Sequence, residues 1–296
     1  MLVKITGTLK VSILVILQFY SLMLTAQINI NGVVKNQNNQ ALQNVHIAVF
    51  NKPVGTYSDS VGKFTLIVSP QDTLMFSMIG LESLMLDASE VQRRGSIQLK
   101  EAIYSIDQVE ITLDKKKQQR PKTLSLGTLK EKKDVYMNRP KGNQVAVYMP
   151  HPNFENVYLK TAVFRFSSNF GEKKRNCGKI RVHLFEVNPY TKGPGKELLV
   201  NDIVRQICPG EKLVEIDLLQ EQIKMPIDGV FVGFEFLGEV DRKNNPTLGP
   251  YNVWPEYFLT KNKTLPAWTW GKYWGQEWGI ERGENALLGL DVIYYK

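Results

Sequence analysis

Apolar and polar residues alternate at every second position through much of the 296-residue chain, in short runs broken by Gly, Asn, Pro and Asp. A period of two marks strands that bury one face, and the breakers are turn formers. Ile28 and Ile30 share one side ahead of Gly32. Val45, Ile47 and Val49 do the same in ALQNVHIAVF, and Phe64, Leu66 and Val68 oppose Lys63, Thr65 and Ile67. DTLMFSMIG repeats the arrangement with Leu74, Phe76 and Met78. A strand cannot bury a single apolar face alone, so these runs must pair into sheets that cover one another, which predicts a small β-sandwich. The same grammar resumes at Val135 and runs through NVYLKTAVFRFSS, KIRVHLFEV, EKLVEIDLLQEQIKM, DGVFVGFEFLG and NALLGLDVIYY. In that half no helical period of convincing length interrupts it, and frequent Gly and Pro between the runs suit sandwiches and jelly rolls. The expected fold class is therefore all-β, in two domains.

Two segments stand outside the pattern. In residues 1–26, Lys4 and Lys10 precede the apolar run VSILVILQFYSLMLTA, and Thr25-Ala26 offers a small-residue cleavage site before Gln27. The run falls short of the roughly 20 residues that span a bilayer, so it predicts an export signal rather than an anchor, and no later stretch predicts a transmembrane helix. Residues 113–134 are polar and basic, broken by Pro121 and Gly127, and are expected to link a first domain at 27–112 to a second at 135–296. Between Asp114 and Lys133 eight Lys or Arg face two acidic residues, which accounts for most of the formal net charge of +8. A surplus gathered there says little about the folded surfaces. An exported chain without a recognition helix is not expected to bind nucleic acid.

GTYSDSVGKFTL, residues 55–66, reads as a hairpin tip. Asp59 is a local acceptor, Gly62 supplies a positive φ, and Phe64 then enters the core. Calcium bound by Asp59 with Asp72 or Glu82 would need six to eight oxygens that no dense acidic loop provides. Together with INGVVKNQNNQALQNVHIAVF and DTLMFSMIGLESLML, this stretch resembles the carboxypeptidase-regulatory-like domain, a transthyretin-like β-sandwich common in exported proteins of the Bacteroidetes. Gly32, Val34, Leu42, Val45, Gly55, Thr56, Asp59, Gly62, Phe64, Ser77, Ile79 and Gly80 match its pattern; Ser58 stands where Thr is usual, and Leu81 where an aromatic is usual. The resemblance implies an accessory module without peptidase chemistry. SIQLKEAIYSIDQVEIT is similar to the segment joining such modules to outer-membrane receptor plugs, although the chain is too short to add a plug and a large barrel. Through IRVHLFEVN, GPGKELLVNDI and MPIDGVFVGFEF the second half resembles uncharacterised β-sandwich domains that accompany the module, which implies a jelly-roll-like, carbohydrate-binding-like topology and no particular ligand.

No constellation carries obvious catalysis, and no cofactor or metal site is expected. His183 and Glu186 in HLFE have the spacing of two zinc ligands, but on a strand they point to opposite faces, and no histidine follows. No Gly-x-Ser-x-Gly elbow occurs. Glu235 with Glu239 or Asp291 could in principle act as a glycosidase pair, and a glycoside or peptide hydrolase is retained as an alternative. Cys177 and Cys208 are candidates for a disulfide, which the pattern alone leaves open.

LPAWTWGKYWGQEWGI holds four of the five tryptophans. Trp268, Trp270, Tyr273, Trp274 and Trp278 among glycines can form a stacking platform for sugars, or can fill an irregular corner of a sandwich. The expectation is a non-catalytic exported protein of the periplasm, outer membrane or cell surface. Its partner would be an envelope protein or glycan, with peripheral outer-membrane association; a purely structural scaffold or accessory subunit is the alternative.

Overall fold

The computed structural model describes residues 27–102, 120–130, 135–137, 140–166, 176–208, 210–241, 243, 257–260, 269–280 and 285–295. The expected export signal, Trp268 and much of the expected linker lie outside the described residues.

The first domain comprises β1 (Ile28–Lys35), β2 (His46–Val49), β3 (Gly55–Tyr57), β4 (Lys63–Val68), β5 (Thr73–Ser77), β6 (Leu84–Asp87), α1 (Ala88–Arg94) and β7 (Ser96–Gln98). Its two sheets, ordered β4-β1-β7 and β3-β2-β5-β6, enclose Ile30, Val34, Val45, Ile47, Phe64, Leu74 and Phe76, so the alternation produced the sandwich it predicts. The hairpin tip is built as its residues require. Asp59 Oδ1 accepts the backbone N–H of Val61 at 2.9 Å and of Lys63 at 2.8 Å, and Gly62 has φ +76°. A Cβ at Gly62 would lie 2.5 Å from the Val34 carbonyl oxygen. Ser58 keeps the hydroxyl role: its Oγ donates to the Leu42 carbonyl and accepts the Val45 N–H. The helix α1 departs from the strand-and-turn reading. Asp87 sits at its N-cap, Glu90 in the first turn, Arg93 and Arg94 in the last, and Gly95 ends it at φ +64°. The charges complement the helix dipole, and the Gly95 N–H closes the last turn on the Val91 carbonyl, while Asp87 makes no side-chain cap bond.

The second domain comprises β8 (Lys122–Gly127), β9 (Val135–Met137), β10 (Asn143–Met149), β11 (Tyr158–Arg165), β12 (Cys177–Val187), β13 (Pro194–Glu197), β14 (Val204–Ile207), β15 (Leu213–Asp217), β16 (Val230–Val240), β17 (Tyr257–Thr260), β18 (Thr269–Tyr273), β19 (Gly279–Ile280), β20 (Asn285–Ala286) and β21 (Leu288–Tyr294). A seven-stranded sheet ordered β13-β12-β16-β10-β18-β19, with β14 also on β12, faces a four-stranded sheet ordered β15-β11-β21-β8. A small β20-β17-β9 sheet completes the domain. Val145, Val147, Ile180, Val182, Leu184, Val232, Phe234 and Phe236 from the large sheet meet Ala162, Phe164, Val214, Leu288, Leu290 and Val292 from the other. Residues 122–127, assigned to the linker by composition, instead pair with β21 from Lys122↔Tyr294 to Gly127↔Gly289. Leu124 and Leu126 alternate onto the core between polar neighbours, a pattern that the surrounding lysines mask. Cys177 and Cys208 are disulfide-bonded, at the ends of the paired strands β12 and β14.

Candidate functional site

Strand register assembles the site. Across the seven-stranded sheet Arg181 (β12) stands opposite Glu235 (β16), Glu235 opposite Gln144 (β10), and Gln144 opposite Lys272 (β18). Side chains at positions in register share a face, so this polar row lies on the face turned away from the sandwich core. Two residues along each strand, the next row is His183, Gly233, Ala146 and Trp270; beyond it come Phe185, Phe231 and Tyr148. The alternating partners Ile180, Val182, Leu184, Val232 and Phe234 fill the core on the other side.

The first domain covers the polar row. From β2 and β3, His46 and Tyr57 reach over it, and their strand neighbours Ile47 and Val49 point back into their own sandwich. Glu235, 1 % exposed, accepts four hydrogen bonds: at Oε1 from His46 Nδ1 (2.5 Å), the Tyr57 hydroxyl (2.9 Å) and Gln144 Nε2 (3.0 Å), and at Oε2 from Arg181 Nη1 (2.8 Å). Arg181 is equally buried; it grips Asp202 through Nε at 2.6 Å and Nη2 at 3.1 Å, and donates through Nη2 to the Asn44 carbonyl of the first domain at 2.6 Å. His183 Nδ1 bonds Glu197 at 2.6 Å, while its Nε2 lies 3.6 Å from Glu235 Oε2.

Burial alone would push the Glu235 carboxyl up, but His46 and the Arg181 guanidinium beside it outweigh that and hold it well below the usual carboxylate range. The Arg181 guanidinium is held charged against the cost of burial by Glu235 and Asp202. Desolvation lowers His46, with Glu235 only partly compensating; as a neutral ring donating Nδ1–H to a carboxylate, it leaves Nε2 as a bare acceptor. For His183 the Glu197 carboxylate overcomes burial and raises the imidazole. The Tyr57 hydroxyl is pushed far up by burial and by Glu235, so it remains a donor.

Beside this network Trp274 wedges between the domains. It is 5 % exposed and packs with Ala48, Tyr57 and Leu237, its ring 5.0 Å from Tyr57 and 5.3 Å from His46. A Cβ at Gly142, whose φ is +88°, would collide with the indole. Trp274 itself has φ +48°, an unusual conformation for a bulky residue, and the next residue's carbonyl accepts the Asn51 N–H of the first domain at 3.0 Å.

Where the covering sheet parts from the polar row, a cavity of about 420 Å³ remains. One wall is Met75, Ser77, Met78, Ile79 and Leu81 of the first domain; the other is formed by His183, Phe185, Glu197 and Lys272 of the second, with His46, Gln144, Arg181 and Glu235 between them.

Two sandwiches, the first closed by an Asp-x-x-Gly-x-Phe hairpin, are thus joined through a buried ionic contact. Residues 30–111 match the CarboxypepD_reg-like domain family. The match covers the first sandwich, the one that contacts the second domain through His46, Tyr57 and Asn44. No curated protein matches the chain. One solved structure, of the infectious bursal disease virus Gt strain, aligns at 10 % identity over 90 % of this chain, which spans 63 % of that chain's length. With a TM-score of 0.17, it carries no argument about fold or function.

The residues singled out from sequence separate into distinct places. Asp59, Gly62 and Phe64 form the turn of the regulatory-like domain, with Phe64 in that domain's own core. His183 and Glu186 point to opposite faces of β12, the first buried and the second exposed. Glu235 and Asp291 lie on different sheets, so they do not form a catalytic pair, and the side chain of Glu239 is outside the described residues. Among the described residues the aromatic group divides between two places. Trp274 is unavailable as a stacking surface because it is the interdomain wedge, with Tyr273 packed against it. Trp270 and Trp278 are half-buried and cover Phe231 and Phe185. Sequence reasoning missed the Arg181–Glu235–His46 contact. Its signal is present in IRVHLFEV and VFVGFEF, whose second faces carry Phe185 and Phe231 beside Arg181 and Glu235: a strand apolar on both faces is covered on both.

Proposed function

We propose that the protein is a non-catalytic, exported cell-envelope binding protein, in which the regulatory-like domain and the second sandwich present one recognition surface. The observation that carries this reading is the division of the outer face of the seven-stranded sheet. The regulatory-like domain covers the polar row, while Tyr148, Trp270 and Trp278 form a half-buried aromatic layer beyond it, next to an open cavity. Aromatic faces beside polar groups suit glycan recognition, since rings cover the C–H faces of a sugar. The amino-terminal export pattern and the disulfide fit an oxidising compartment outside the inner membrane. Among the described residues no helix is long and apolar enough to cross a membrane, in keeping with peripheral association.

Screening the full chain against an array of envelope glycans tests this. Binding that weakens in Trp270→Ala and Trp278→Ala, with the bound glycan recovered uncleaved, is expected. A silent array would favour the scaffold reading, for which the buried Glu235 network and the Trp274 wedge are the specific support. New reducing ends on the recovered glycan would replace binding by hydrolysis.

A further inference from the structure

The cavity between the domains has the composition of a ligand site that interdomain packing does not use up. Its carboxylates are committed to the protein. Glu235 accepts four hydrogen bonds, and Glu197 accepts from His183 and from the backbone N–H groups of Leu184 and Leu199. Lys272 differs. It stands at the end of the polar row, and its Nζ lies 5.1 Å from the Trp278 ring centroid, without a carboxylate in salt-bridge range among the described residues. Three more wall residues carry polar atoms without a hydrogen-bond partner: Nε2 of His46, Nε2 of His183 and Oε1 of Gln144. All three side chains belong to residues more than nine-tenths buried. Buried polar groups are nearly always satisfied, so a run of such atoms along one cavity points to a ligand that supplies both donors and acceptors.

The chemistry of the wall narrows that ligand. Lys196 also lines the cavity but is engaged elsewhere, so Lys272 is the ammonium left to call for one negative charge, and a doubly charged phosphate would also meet Glu197 and Glu235 at close quarters. His46 Nε2 and Gln144 Oε1 are acceptors and require hydroxyl donors, which a bare carboxylate lacks. Met75, Met78, Ile79 and Phe185 provide an apolar flank for C–H surface, and 420 Å³ lies within the usual range for small-ligand sites. From these we infer that the interdomain cavity binds a monoanionic sugar of the uronic-acid class, with Lys272 as counter-ion to its carboxylate and His46, Gln144 and His183 facing its hydroxyls. The inference rests on the binding reading above and deepens it: the sugar acid enters between the domains, while the aromatic layer outside contacts what is attached to it.

Isothermal titration of the full chain with glucuronate, glucose and inorganic phosphate tests the assignment. Glucuronate should bind, with glucose and phosphate each at least about tenfold weaker, a difference equivalent to one well-made charge interaction. Lys272→Met should lower glucuronate affinity by about tenfold or more, and Lys272→Arg should retain most of it. Ser83 is exposed at the cavity mouth, so Ser83→Trp should block binding while leaving the melting temperature unchanged, which guards against a fold defect in the lysine variants. No heat with glucuronate up to roughly 10 mM, equal binding of glucose or phosphate, or an unchanged affinity in Lys272→Met would overturn it. Should glucuronate fail while array binding sensitive to Trp270→Ala persists, the cavity assignment falls and the binding function stands; loss of both removes the function itself.

Discussion

Glu235 gathers four donors from four strands of two domains, so its removal has consequences beyond one hydrogen bond. Glu235→Gln keeps the shape but leaves Arg181 with Asp202 alone and replaces an acceptor by a donor opposite Gln144. Breaking one side of a buried pair typically costs roughly 3–5 kcal/mol, and a fall of that order in chemical denaturation is expected. The two histidines titrate with opposite sign. His46 is depressed in the folded protein, so as pH drops below about 6.5 the unfolded chain takes up a proton that the folded one refuses, and stability declines towards the folded value. His183 is raised, so its contribution is complete below about 6.5 and fades as pH climbs through its folded value. His46→Gln should therefore flatten the acid side of a stability–pH profile and leave in place the loss that His183 causes as pH rises above about 6.5. A variant profile parallel to wild type throughout would mean that His46 is not the group responsible.

At the scale of elements, the hairpin between β3 and β4 and the neighbouring strands β12 and β14 invite separate tests. Gly62→Val puts a branched side chain at φ +76° against the Val34 carbonyl, for an expected loss of roughly 1–3 kcal/mol; an unchanged melt would show that the turn relaxes. Cys177 and Cys208 close a separation of 31 residues, and replacing both by Ala should cost about 3 kcal/mol by freeing the unfolded chain, read as a lower denaturation midpoint under oxidising conditions. What could be read from sequence also divides by element. Strands whose apolar residues alternate with Lys, Thr or Glu, such as β4 and β15, are plain because one face meets water. The short α1 was hidden among strands because seven residues give barely two turns of period. β8 was hidden by the charges around it. For β12 and β16 the core-facing residues were legible, but the purpose of the opposite face was not, because what covers it comes from His46 and Tyr57, more than 100 residues earlier.

In the whole molecule the regulatory-like domain is bolted to its neighbour through His46, Tyr57, Asn44 and Asn51, and not simply carried ahead of it. Trp274 is the mechanical part of that bolt. Trp274→Ala should remove roughly 3–5 kcal/mol of packing and uncouple the domains, so that a single calorimetric transition separates into two. Retention of one transition at the wild-type temperature would show that the ionic contact suffices. The division of the site by scale follows from the same geometry. The chemistry lies in single residues whose types were visible, their alignment lies in strand register, and the cavity exists only when both sandwiches are docked.

The wedge also imposes an order of assembly. His46 and Tyr57 leave the ribosome early, whereas Arg181, Glu235 and Trp274 follow more than 120, 170 and 210 residues later. The first sandwich can close its own local contacts at once, but its mating surface must wait, exposed, until synthesis has reached Trp274. Such long-range contacts form late and slowly, and the waiting surface is open to misassociation. A nascent chain halted before Trp274 would thus carry a finished first sandwich with an unmet docking face, the form most in need of a chaperone.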